Sequence, residues 1–153
     1  MKAQTLAVIA LLLILAGATT AGGAAPQQIT ITMREFTYSP TKITLQASMP
    51  VAITLVNRGR KPHEFMVYDM PMGSSHMMVG HEWVEKTNYF KGMMVNVQGG
   101  RTRRRSGAFF EVEVAAGKTA VIAFTPAKKG TFEFACMIKG HYEAGQKGVL
   151  VVK

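Results

Sequence analysis

Apolar and polar residues alternate along most of this chain, in short runs separated by turn formers. In residues 28–33, Ile29, Ile31 and Met33 share one face, and in Lys42–Gln46 Ile43 and Leu45 do so. Val51–Val56 is β-branched. Beyond the turn-rich segment Asn57–Pro62, the run His63–Tyr68 places His63, Phe65 and Val67 on one face. Farther on, Phe110, Val112 and Val114 alternate with Glu111 and Glu113. Thr119–Phe124 follows, then Thr131–Cys136, with Phe132, Phe134 and Cys136 on one face, and Gly148–Val152 closes the chain. A period of two, bounded by Gly, Pro and Asn, marks half-buried strands. Seven or eight short strands with turn signals about every 8–12 residues predict an all-β fold, a sandwich or barrel. No long helical period and no internal repeat is visible.

The alternation fails between about residues 70 and 107. That is longer than an ordinary loop, so an insertion carrying a short helix is expected there. His81–Phe90 is the predicted helix, anchored by Trp83 and Val84, with Glu82 and Lys86 as an i,i+4 pair. Met66, Met70, Met72, Met77, Met78, Met93 and Met94 crowd this region, with His76 and His81. Thioethers bind Cu(I), which would make it a second, exchangeable copper site. Flexible packing or an adaptable docking surface is the simpler reading. Arg101, Arg103, Arg104 and Arg105 read as a solvated loop, or as a patch that steers an acidic partner.

Composition narrows the picture. With 153 residues the chain is one domain. Lys2, the apolar run Leu6–Leu15 and the small residues from Gly17 to Ala25 read as a secretory signal over residues 1–25, with cleavage expected after Ala21 or Ala25. Residues 26–153 are then the folded domain, in a periplasmic or other extracytoplasmic compartment. The apolar run is short for a transmembrane helix. Left uncleaved, it would anchor the chain, the one membrane association the sequence allows. Net charge is +9, which suits an acidic partner protein or anionic surface. Nucleic acid does not fit, since no groove of interleaved basic and aromatic residues is visible.

Cys136 is the only cysteine, so no intramolecular disulfide can form. Taken alone, a lone thiol is most simply a buried inert residue, and a lone His63 a satisfied core histidine. Their neighbours change both readings. In Cys136-Met-Ile-Lys-Gly-His141-Tyr-Glu-Ala-Gly-Gln146, a thiolate, an imidazole and an amide oxygen sit on one loop between two strands. Gly140 and Gly145 let that loop turn tightly. Strand parity turns Cys136 inward with Phe132 and Phe134, and His63 inward with Phe65 and Val67. A thiolate with two imidazoles suits copper, with a weak axial Met, Gln or backbone oxygen in the fourth position. Zinc accepts Cys and His too, but structural zinc draws on paired ligands at short spacing, and Gln serves it poorly. Gln146 has a bland alternative as a solvent-facing loop residue. Glu64 is either an acceptor bracing the ligand loops or, by parity, an exposed carboxylate.

These residues resemble the cupredoxin, or blue copper, family. The resemblance runs from about Ile29 to Val152 and is most specific in Asn57–Phe65 and Phe134–Gly148. It implies a Greek-key β-sandwich, one type 1 copper per chain and one-electron transfer. The family's equatorial ligands fall on His63, Cys136 and His141. Its axial methionine falls on Gln146, as in the stellacyanin type. The binuclear relative needs a second cysteine, and length and the lack of further His motifs speak against multicopper oxidases and copper nitrite reductases. By analogy, the edge of His141, near Met137, Ile138 and Tyr142, is where the electron leaves.

The expected function is therefore an exported, monomeric, non-enzymatic electron carrier serving an acidic redox partner of cytochrome or oxidase type. The rival is a periplasmic copper chaperone that collects the metal through the Met/His segment. A carrier retains its copper through each cycle, whereas a chaperone surrenders it.

Overall fold

The computed structural model describes residues 25–70 and 80–153. The apolar N-terminal run and the stretch containing Met72, His76, Met77 and Met78 lie outside them. Eleven strands and one helix follow in order: β1 (Gln27–Arg34), β2 (Thr37–Ser39), β3 (Lys42–Leu45), β4 (Val51–Asn57), β5 (His63–Asp69), α1 (His81–Lys86), β6 (Asn96–Gln98), β7 (Arg101–Arg105), β8 (Ala108–Val114), β9 (Thr119–Phe124), β10 (Gly130–Ala135) and β11 (Lys147–Val152). They form two sheets, ordered β2-β1-β4-β9-β6 and β3-β11-β10-β5-β8-β7. Most neighbours are antiparallel, but β1 runs parallel to β4 and β3 parallel to β11. This is the expected all-β sandwich. Ile31, Ile53, Leu55, Phe65, Phe134 and Leu150, all wholly buried, fill the space between the sheets. Each such side chain contributes about 1.5–3 kcal/mol relative to exposure.

The strand count exceeds the seven or eight expected, for two reasons. β2 and β6 have three residues each, too few to reveal a period. β7 is Arg101–Arg105 itself, exposed at every position and paired only to β8 at the sheet edge. A strand with no buried face has no alternation to read, so the expected loop is a strand. Lysine- or arginine-rich edges also resist pairing with other chains.

The described part of the insertion, from Gly80 onward, packs around the core. Helix α1 stops at Lys86, short of the predicted Phe90. Asn88 instead bridges to Tyr68, and its side-chain amide donates to the Phe109 carbonyl. That turn sends Tyr89 and Phe90 into the main core against Phe109, Phe124 and Phe132. Glu82 and Lys86 form no ion pair.

Strand β5 is buried on both faces, except at Asp69. Its inner face joins the sandwich core. Its outer face, with Met66 and Tyr68, lies under α1 in a second apolar cluster with Val84, Phe110, Ala135 and Tyr142. A bulge in β8 serves this arrangement. Arg103 pairs with Glu111 and Arg104 with Phe109, so Phe110 is the extra residue. Phe109 therefore enters the sandwich core and Phe110 the second cluster, where simple alternation had put Phe110 beside Val112. Among the described residues no helix is long and apolar enough to cross a membrane.

Candidate metal centre

Three segments deliver the predicted donors to one end of the sandwich. β5 opens on His63, β10 ends just before Cys136, and the loop from there to β11 supplies His141 and Gln146. The loop is closed by its own backbone. Cys136 N–H donates to the Gln146 carbonyl at 3.1 Å and Gln146 N–H to the His141 carbonyl at 3.0 Å. Gly140 and Gly145 both take positive φ, 84° and 103°, which other residues adopt at a cost. Asn57 holds the loop ahead of His63. Its amide donates to the carbonyls of Lys61 and Val114, and its oxygen accepts from Gly59 N–H, all at 2.8 Å.

His63, Cys136 and His141 are all buried, and their donor atoms lie within 4.8 Å of one another. They form the one such cluster of His, Cys, Asp or Glu among the described residues. Cys136 Sγ is 3.3 Å from His141 Nδ1 and accepts the Glu64 backbone N–H at 3.4 Å. The His63 and His141 rings stand 5.2 Å apart. Gln146 is fully buried rather than solvent-facing. Its Nε2 donates to the Arg34 carbonyl at 3.3 Å, and its Oε1 has no partner. Neither ring nitrogen of His63 has a partner.

Unpartnered polar atoms at such depth are costly unless something binds them. A metal would satisfy one ring nitrogen of His63 and the Gln146 oxygen together, with a thiolate beside them, and this donor set fits copper. Burial pushes the Cys136 thiol up to about 11, against the opposing N–H groups of Glu64 and Ile138. Burial, then the neighbouring His141, lowers His63, while Gln146 and Glu35 oppose. The site thus favours a neutral, metal-ready imidazole but needs a cation to draw off the thiol proton.

Glu64 is buried, not exposed, and lies on the outer face of the sheet, away from the donors. There it adjoins Glu111. Burial, then the charge of Glu64, raises the Glu111 carboxyl to about 7, with Arg103 opposing. Arg103 Nε stands 3.5 Å from Glu111 Oε1, an ion pair without hydrogen-bond geometry. Glu64 meets the donor cluster only through its backbone N–H, which donates to Cys136, while its carbonyl accepts the Tyr38 hydroxyl at 2.6 Å. On the same face, Tyr68 and Tyr142 both donate to Glu133 Oε1, at 2.7 and 3.0 Å, which ties the residue after His141 to β5 and β10.

Three nearby residues were not singled out from the sequence. Phe36 has φ 63° and stands edge-on to His141 with ring centroids 5.3 Å apart. It is 39% exposed and His141 only 4%, so the expected exit edge lies beneath Phe36. Glu35 accepts the backbone N–H groups of Arg60 and Lys61, which hold its carboxyl below the usual range. Gly59 lies between Glu35 and His63. The turn from β1 to β2 has no period, and no spacing links it to His63 or His141.

The fold and the buried Cys–His–His cluster define a cupredoxin. The cupredoxin-like domain family matches residues 6–82, which takes in His63. Two curated proteins named copper-resistant cuproprotein CopI are similar over most of the chain. That of Rubrivivax gelatinosus is 33% identical over 138 residues, 86% of this chain and 71% of its own. That of Pseudomonas aeruginosa is 28% identical over 140 residues, 84% and 77% of the two chains. Among solved structures, reduced auracyanin from Roseiflexus castenholzii superposes with a TM-score of 0.60 at 20% identity, covering 84% of this chain and 98% of its own. The chain belongs to the cupredoxin-like family, and copper is its cofactor.

Proposed function

We propose that this chain is an exported, non-enzymatic type 1 copper protein that carries one electron at a time. His63, Cys136 and His141 would hold the copper, with Gln146 Oε1 as a fourth, weaker donor. The observation that carries this reading is the buried cluster of His63, Cys136 and His141 donors, with unpartnered polar atoms on His63 and on Gln146. When bound, copper accepts and returns one electron. The chain's part is to keep the donors fixed through the cycle. β5, packed on both faces, and the backbone-closed loop restrain His63 and the other three donors alike. A pocket with four protein donors leaves no position for a substrate, which supports a carrier over an enzyme.

The partner is acidic and docks at the metal end, over Phe36 and the edge of His141. Arg34, Arg58, Arg60, Lys61 and Lys139 are exposed there, against the two carboxylates Glu35 and Glu143. The arginines of β7 are poorer candidates, because Arg101, Arg103 and Arg105 are paired with Glu113, Glu111 and Glu85. The carrier acts as a monomer in an extracytoplasmic compartment.

A second reading has support from the relatives, whose names associate them with copper resistance. On it the protein sequesters or passes on copper. One experiment separates the two. The purified protein is loaded with Cu(II), and its visible and EPR spectra are followed during repeated reduction and reoxidation beside a Cu(I) chelator. A carrier gives an intense thiolate-to-copper band that returns undiminished. A copper donor loses the band to the chelator. No band, with zinc bound instead, overturns the copper assignment of these residues.

A further inference from the structure

A carboxylate outside the donor set faces the outer side of His63. A carbon built as Cβ on Gly59 would stand 2.9 Å from Glu35 Oε1, 3.0 Å from Glu35 Oε2 and 2.9 Å from His63 Nε2. Glu35 and His63 Nε2 therefore confront each other across a gap that exists because residue 59 has no side chain. The carboxylate is not free to swing away, since the N–H groups of Arg60 and Lys61 both donate to Oε1. Those two residues belong to the loop that leads into His63. Glu35 thus bridges the β1–β2 turn to the ligand's own approach. His63 Nε2 is buried and has no hydrogen-bond partner within the chain, Glu35 included.

An imidazole that binds metal through one nitrogen needs its proton on the other, and an acceptor at that nitrogen fixes the tautomer and the ring orientation. We propose that Glu35 is a positioning residue of the metal centre: it accepts the Nε2–H of His63 through one water held in that gap, and so presents Nδ1 to Cys136 and His141. Gly59 is the residue that makes the approach sterically possible. The carboxylate also places a negative charge beside the centre, which favours Cu(II) over Cu(I). Glu35 tunes the site without touching the metal. This rests on the assignment of His63 as a ligand made above.

The test reads the imidazole with and without copper. In the metal-free protein, nitrogen-15 shifts of His63 report which ring nitrogen carries the proton. Wild type is expected to hold the Nε2–H tautomer. Glu35→Gln keeps an acceptor and retains that tautomer, whereas Glu35→Ala releases it to a mixture while the amide spectrum of the sandwich stays in place. In the copper-loaded protein, Glu35→Gln shifts the Cu(I)/Cu(II) preference toward Cu(I) about tenfold, the scale of one unit charge removed at partly solvated range. Gly59→Ala, which drives a methyl between the two groups, disturbs the tautomer in the same way as Glu35→Ala. An Nε2–H tautomer indifferent to Glu35→Ala, or, if that variant does not fold, a preference unchanged by Glu35→Gln, overturns the proposal. Failure of wild type to take up copper would instead sink the ligand assignment, and the tautomer result would still be read on its own.

Discussion

Gln146 donates through Nε2 to the carbonyl of Arg34 at 3.3 Å, and its buried oxygen is left without a hydrogen-bond partner. An amide has one donor end and one acceptor end. With the donor end committed to β1, the oxygen is the end left over for the metal. An oxygen is a harder donor than a thioether and favours Cu(II). Gln146→Met should therefore raise the reduction potential by at least about 60 mV, a tenfold change in the Cu(I)/Cu(II) preference for a one-electron couple. It should also alter the EPR spectrum. Voltammetry of both proteins checks this, and an unchanged potential with an unchanged spectrum would mean that Gln146 is not a ligand.

Copper loading must remove the proton from Cys136. Because burial puts that thiol at about 11, it is protonated in the metal-free protein at any ordinary pH. At pH 8.5, where free imidazoles are neutral, calorimetry in buffers of different ionisation enthalpy should count close to one proton released per Cu(II). Apparent affinity should climb about tenfold per pH unit below the thiol pKa. The same thiol should resist alkylation at pH 8 until the protein is unfolded.

Glu111 sets a pH dependence of opposite sense to that of a salt-bridged carboxylate. Its folded-state value, about 7, lies above the ordinary 4.5. Below 4.5 the carboxyl is protonated in both states and there is no cost. As pH rises through 7 the folded state must accept a buried charge that the unfolded state bears in water, so stability falls. Glu111→Gln should thus stabilise the metal-free protein at pH 8 by about 1–2 kcal/mol, less than the full shift implies because Arg103 already offsets part of the buried charge. The gain should vanish near pH 4.5. Thermal unfolding at the two pH values decides it, and an equal effect at both would exclude the ionisation as its cause.

Charge at the metal end should govern encounter with anionic reagents. Oxidation of the reduced protein by hexacyanoferrate(III) should slow several-fold when Arg58 and Lys139 are changed to Glu, and the ionic-strength dependence should flatten. Changing Arg101 and Arg105 to Gln should matter far less, since each already faces a carboxylate. Equal effects from both pairs would place the encounter surface elsewhere.

Much of this was legible because a strand half-buried in a sandwich writes its burial into alternate letters. Parity alone turns His63 with Phe65 and Val67, and Cys136 with Phe132 and Phe134, inward, and all six side chains are in the core or the donor cluster. Legibility ended where burial was two-sided or absent. The outer face of β5 is buried as well as the inner one, by helix α1 over Met66 and Tyr68 and by Glu111 beside Glu64, and parity alone cannot separate a buried Glu64 from a surface carboxylate. β7, exposed throughout, left no period. The β8 bulge shifted the phase by one residue between Phe110 and Glu111, which no local rule announces. Glu35, Phe36 and Gly59 act at the metal end through contacts between segments remote in sequence from Cys136 and His141, and nothing in their own neighbourhood marks them.

The backbone pairing of Cys136 with Gln146 has a further consequence. It makes residues 137–145 a cassette mounted between two fixed posts at the ends of β10 and β11. Such a cassette can be lengthened, shortened or exchanged while the sandwich beneath keeps its register. Heritable variation in the properties of the centre can therefore accumulate there, at little risk to the ability of the chain to fold.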